Sequence, residues 1–289
     1  MRTGPLRAAV LVLPLALALT ACGTETEEPG GTGDSREAAA PQPSREAPRP
    51  ESAEDFLDLA EKAMADESAW SFSVEGEEGL TLQGRKSAAT YEGTVRRAGG
   101  RAALHSQGVS TSSKGAKGTE ELYVVEGAGY LKEDAGDWKA VDPTGPEVEN
   151  KVEDPVSAVE DFRGYARAAE GDVRVTRAGG TVELRVTSGR QKLSAVRDRA
   201  WAEKARREFE PTAEQLGKAG IPVRDGRLTL SGLEEVLVLD AKTYRIKSHR
   251  LDFGFLVPYN GQEVSFEQRV SEKNQGPYAG RIELPAELR

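Results

Sequence analysis

Cysteine is nearly missing: Cys22 stands alone among 289 residues, which excludes an internal disulfide and any cysteine-rich metal site. Histidine is almost as scarce. His105 and His249 fall in separate strand-like runs, and neither has the spacing of a catalytic triad or of a zinc site. His105 precedes Ser106, but neighbours on a strand point to opposite faces. His249 lies beside Lys247 and Arg250 in a charged register, so both histidines read as surface or hydrogen-bonded residues. Glu120-Glu121 and Glu234-Glu235 are adjacent pairs that diverge on a strand, which gives no paired-carboxylate chemistry. The stretch from Lys114 to Gly118 lacks phosphate-loop spacing. No basic excess is present either: the net charge is −9, the wrong sign for non-specific nucleic-acid binding. These absences predict no catalysis, no cofactor and no metal. A transmembrane helix, at roughly 20 apolar residues, is not predicted, because the apolar stretch from Ala8 to Leu19 is short and contains Pro14.

What is there begins at that stretch. Arg2 and Arg7 precede it, and Leu19-Thr20-Ala21-Cys22 ends it, the anatomy of a secretory segment with small residues at the cut. The four residues resemble a bacterial lipobox. The resemblance implies that residues 1–21 are a lipoprotein signal peptide, that Leu19, Thr20 and Ala21 are read by the signal peptidase, and that the Cys22 thiol takes a diacylglycerol. The protein is then expected on the extracytoplasmic face of the cell membrane, held by acylated Cys22 and carrying palmitate-type chains. Loss of residues 1–21 leaves 37 basic and 48 acidic residues, a net −11. From Gly23 to Ser52 the chain is rich in Pro, Gly, Glu, Ala, Ser and Thr, without an aromatic residue or a large aliphatic one. Such a composition cannot bury enough apolar area to offset its ordering entropy, so residues 22–52 read as a disordered tether. A coil of that length spans roughly 30 Å on average.

A folded domain is expected over residues 53–289. Ser52 and Asp55 have capping-box spacing before a helix at about 53–66, with Phe56, Leu59, Ala60, Ala63 and Met64 on one face. At Trp70 the period changes to two: Trp70, Phe72 and Val74 alternate with polar neighbours, the rhythm of a half-buried strand. Similar runs follow at about 88–97, 101–110, 119–126 and 128–141. Arg-Ala-Gly-Gly occurs at 97–100 and again at 177–180 between such runs, and Asn260-Gly261 separates two more, all hairpin signals. Asp154-Pro155 opens a second helix with Val159, Phe162, Ala166 and Ala169 along one side, ended by Gly171. A third helical region, about 192–218, spaces Trp201, Ala205 and Phe209 by four amid mixed charge, and could lie on an anionic membrane surface or stand solvated with its Trp201 edge on the sheet. Strands resume from Arg227 to Leu284. The sum is an α+β fold: one mostly antiparallel sheet of about 10–11 strands interrupted by helices, without the alternation of a parallel α/β sheet.

Three stretches carry a family resemblance: the opening helix running into Ser68-Ala69-Trp70-Ser71-Phe72, the segment Gly129-Tyr130-Leu131-Lys132 followed by Asp137-Trp138-Lys139, and the late hairpin from Val238 to Ile246. Together they resemble the LolA/LolB-type lipoprotein-carrier fold, in the form of bacterial lipoproteins of the LppX and LprG kind. Ala241 stands where that group often has proline. The resemblance implies a strongly curved sheet, an incomplete barrel, with helices on its concave side and a hollow that can accept acyl chains or other amphiphiles. Trp70, Phe72, Trp138, Phe253 and Phe255 are the candidate wall residues. Small side chains on the first two helices leave room for such a ligand, each buried methylene of which contributes about 0.8 kcal/mol. The alternative is a sensor or scaffold with a solid core, acting on a protein partner the sequence does not name. An importer's solute-binding protein would need two α/β lobes, and a hydrolase would need chemistry that is missing.

Overall fold

A computed structural model describes residues 50–99, 103–145, 148, 152, 154–168 and 172–289. The expected signal peptide, lipobox residues Leu19 to Cys22 and most of the expected tether therefore lie outside the described residues. Helix α1 (Ala53–Ala65) starts where expected: the Ser52 side chain accepts from the Asp55 backbone N–H while Asp55 accepts from that of Ser52. Its buried side is Phe56, Leu57, Ala60 and Met64, so Leu57 takes the inward place expected of Leu59.

Twelve strands form one sheet. The first six are β1 (Ala69–Leu82), β2 (Arg85–Ala98), β3 (Ala103–Ser112), β4 (Lys117–Val125), β5 (Ala128–Glu133) and β6 (Lys139–Val141). After helix α2 (Ser157–Ala168) come β7 (Arg174–Ala178), β8 (Thr181–Ser188) and β9 (Gln191–Lys192). Helices α3 (Leu193–Val196) and α4 (Ala200–Lys218) follow, then β10 (Thr229–Asp240), β11 (Ile246–Tyr259) and β12 (Gln262–Pro277). The order is β6-β5-β4-β3-β2-β1-β12-β11-β10-β8-β7, with β9 beside β10, and every pairing is antiparallel. The first and last strands of the domain thus meet in the middle of the sheet, while β6 and β7 are its unjoined edges. The sheet is not closed into a barrel, as expected.

Several boundaries differ from the sequence reading. The run at 128–141 divides into β5 and β6 around the turn after Glu133, where Asp134 has positive φ. The region 192–218 is two helices, because Arg199 is extended and interrupts the coil. Hairpins need residues with positive φ, and Asn260-Gly261 supplies both. Gln83-Gly84 and Glu126-Gly127 do the same without the usual asparagine.

One face of the sheet is apolar and lies under the helices. Phe209 of α4 packs its ring 4.9 Å from Phe255 and 4.8 Å from Phe266, and Phe253 lies 5.8 Å from Phe266. Helix α2 brings more than alanine: Phe162 and Tyr165 are both buried, their rings 5.5 Å apart. Where bulk from above is missing, the sheet fills itself. Gly93 and Gly108 face each other across β2 and β3, and the Tyr91 ring lies on them, so a Cβ at Gly108 would sit 2.2 Å from the Tyr91 hydroxyl oxygen.

Candidate functional site

The inward row of β10 reads Leu233, Glu235, Leu237, Leu239, and the parity that buries the leucines buries Glu235 as well, at 0% exposure. Its neighbour Glu234 points to the outer face and is held there by Arg185 and Arg250. The adjacent Glu234-Glu235 pair therefore diverges, as the sequence indicates. Inside, however, Glu235 is the hub of a network. Its Oε1 accepts from Lys204 Nζ of α4 at 2.8 Å and from His249 Nε2 of β11 at 2.8 Å, and its Oε2 accepts from the Tyr165 hydroxyl of α2 at 2.9 Å. His249 Nδ1 donates to Glu272 Oε2 of β12 at 2.8 Å, and Lys204 Nζ reaches Asp161 Oδ2 of α2 at 2.7 Å.

Charge follows from what faces what. Carboxylates accept, so an imidazole with a carboxylate at each nitrogen carries both protons. Burial alone would push His249 down, but the carboxylates of Glu272 and Glu235 outweigh it and raise the imidazole to about 10. Burial alone would raise Glu235, yet Lys204 and His249 hold it down at about 2. Burial likewise opposes the Lys204 ammonium and is overcome by Glu235 and Asp161, whereas the Tyr165 phenol is driven far up by burial and by Glu235 and stays neutral. Both oxygens of Glu235 are engaged within the cluster, Oε1 by Lys204 and His249 and Oε2 by Tyr165. The arrangement can clamp two helices to three strands.

Four of the five expected wall residues share this interior. Trp70 and Phe72 are buried on β1 with ring centroids 5.0 Å apart, and Phe253 and Phe255 belong to the Phe209 cluster. Trp138 does not join them. Leu122 of β4 is in the core, so its neighbour Tyr123 points outward, and Trp138 packs edge-on against Tyr123, 5.6 Å between centroids. Trp138 is therefore corrected from a wall residue to a residue of the outer face. There Tyr123 also stacks on His105 at 4.3 Å, His105 Nε2 meets Glu121 at 3.0 Å, and His105 Nδ1 meets the Arg96 guanidinium at 3.2 Å. A guanidinium only donates, so Nδ1 accepts and His105 is neutral with its proton on Nε2. Burial, the larger effect, lowers its pKa against the pull of Glu121.

The recesses of the described surface are open, and their walls mix polar and apolar groups. One of about 310 Å³ lies on the concave face, with Val74, Val270 and Tyr91 beside Glu78, Glu120 and Gln268. A larger one of about 670 Å³ lies against Glu77, Asp252, Glu267 and Arg269. The basic residues of 192–210 are mostly engaged by acids of the same protein: Arg197 with Asp198, Arg199 with Asp172, Lys204 with Asp161 and Glu235, and Arg206 with Glu210 and Asp225. Trp201 is buried, with its indole N–H donating to Asp172 at 3.1 Å. Of the two settings expected for this region, that geometry fits the solvated helix with a packed tryptophan.

No protein-family model matches the chain, and no curated protein sequence matches it. Among solved structures, the chain is similar to that titled "The complex structure of Pseudomonas aeruginosa MucA/MucB", at 15% identity over 81% of this chain and 62% of that one, TM-score 0.26. This chain thus spans less than two thirds of that protein's length. It is also similar to a "Beta-barrel-like Protein of Domain of Unknown Function DUF1849" from Brucella abortus, at 6% identity over 72% and 98% of the two chains, TM-score 0.24. A DUF1329 family protein from Desulfovibrio piger gives 9% identity over 76% and 91%, TM-score 0.27. Superpositions this loose carry no argument for a ligand, a partner or a reaction.

Proposed function

We propose that this chain is an exported lipoprotein, anchored through acylated Cys22 on the extracytoplasmic face of the membrane, whose folded domain is a non-catalytic binding module that works through its surface. The lipobox spacing and the tether composition support the anchor. The observation that carries the surface reading is the occupancy of the space between sheet and helices: Phe209 stands on Phe255 and Phe266, and Lys204 and Tyr165 close on Glu235. A protein whose interior is taken up by its own side chains recognises partners on its outside. Carriage of an amphiphile is the second reading, favoured by the recess of about 310 Å³ in which Val74, Val270 and Tyr91 supply apolar wall. The two are separated by purifying the full chain natively from its exporting host and extracting it for mass spectrometry. The expected extract holds no lipid beyond the chains bound to Cys22, and a stoichiometric non-covalent lipid would establish the carrier instead.

A further inference from the structure

We propose that the network of Asp161, Tyr165, Lys204, Glu235, His249 and Glu272 is a seating device, which fixes one position of α2 and α4 on the sheet and rejects neighbouring ones. This inference is independent of what the domain binds. The need for such a device is visible in α4 itself. The buried side of α4 has Trp201, Phe209 and Leu216 as its large apolar members and Ala202, Ala205 and Ala213 between them, and along those alanines a shift of the axis replaces one methyl by another. Apolar burial is also non-directional, so the aromatic cluster draws the helix inward without choosing its level.

Charge supplies the missing direction. Lys204 is one ammonium with two acceptors from different elements, Asp161 of α2 at 2.7 Å and Glu235 of β10 at 2.8 Å, so it ties both helices to one point of one strand. A slide of α4 by one turn, about 5.4 Å, would carry the ammonium out of reach of both carboxylates. Glu235 would then face only His249 and the Tyr165 hydroxyl at a site without solvent, a penalty that purely apolar contacts never impose. His249 completes the device from below. It is the charged group that lets Glu235 and Glu272, on strands separated by β11, lie inward in the same region of the sheet. Buried ion clusters contribute little net stability against well-packed apolar replacements, and their best-attested use is to set register.

The test replaces the network while keeping its volume: Tyr165→Phe, Lys204→Met, Glu235→Leu, His249→Leu and Glu272→Leu together in the full chain. Thermal unfolding and amide hydrogen exchange are then read in parallel. The expected variant unfolds within a few degrees of the parent, but residues 157–168 and 200–218 exchange about ten-fold faster or more, while β11 and β12 keep their protection. Native protection in both helices of a folded variant would overturn the proposal. Tyr165→Phe alone serves if the combined variant does not fold, since it removes a hydroxyl without unpairing a charge. It is expected to speed exchange in α2 by about three-fold with α4 unchanged; unaltered exchange in α2 would count against the device in the same way.

Discussion

His249 donates from both ring nitrogens to Glu235 and Glu272, whereas His105 accepts at Nδ1 from Arg96 and donates at Nε2 to Glu121. The same side chain is thus an imidazolium at one site and a neutral imidazole at the other, and the two titrate in opposite senses. For His249 the folded pKa, about 10, lies above the unfolded 6.5. Its contribution is whole below pH 6.5 and is lost as pH rises towards 10. Glu235, held at about 2 against 4.5, contributes above pH 4.5 and loses that as pH falls through its folded value. His105, held below 6.5, favours folding above that pH and less so beneath it. The groups facing His249 are Glu235 and Glu272, with Lys204, Asp161 and Tyr165 around them. Urea unfolding from pH 6.5 to pH 10 is expected to show a falling midpoint, and the slope of that fall is expected to flatten in His249→Gln. An equal slope in the variant would mean that some other group titrates. In the sequence the network was legible only as a parity violation: Glu235, His249 and Glu272 occupy the inward positions of runs whose other inward members are mostly apolar. Strand parity can reveal a buried charge, but its partners Lys204, Asp161 and Tyr165 come from helices whose approach is set by tertiary packing.

Among elements, the capped helix α1, the strands β1 to β4 and the hairpin at Asn260-Gly261 were readable because each rests on local chemistry. The side of α1 that is buried, the break at Arg199 and the outward setting of Trp138 were not, since each depends on contacts far apart in sequence. Glycine inside strands marks a similar limit. Gly254 of β11 is opposite Gly232 of β10 and Glu267 of β12, and a Cβ there would stand 2.6 Å from the Phe266 carbonyl oxygen and 2.5 Å from Ser231 Oγ. The serine could turn away, but the carbonyl belongs to the strand. Gly254→Ala is therefore expected to destabilise the domain by about 1–3 kcal/mol, read as a lower urea midpoint with an unchanged m-value, and to loosen amide protection along β11 and β12. A midpoint equal to the parent's would show that the ladder at this place gives way freely.

At the scale of the molecule, a sheet whose first and last strands pair in its middle presents one face to three longer helices and the other to solvent. Its apolar side is met from above by Phe56, Phe162 and Phe209 and pinned by charge at Glu235. Just before α1, Arg177 holds the Pro50 carbonyl and lies 4.7 Å over the Phe56 ring. If Cys22 carries lipid, radiolabelled palmitate is expected on the protein in its host and neither label nor membrane fractionation in Cys22→Ala; label persisting in that variant would refute the anchor. The filled interior is the central claim, and a titration of the native protein with a fluorescent fatty acid tests it most directly. Emission is predicted to rise without saturation, as for weak surface adsorption, and to be unaffected by Phe209→Ala beyond what loss of folding explains. A saturable one-to-one isotherm, weakened by bulk added at Val74 or Val270, would contradict it.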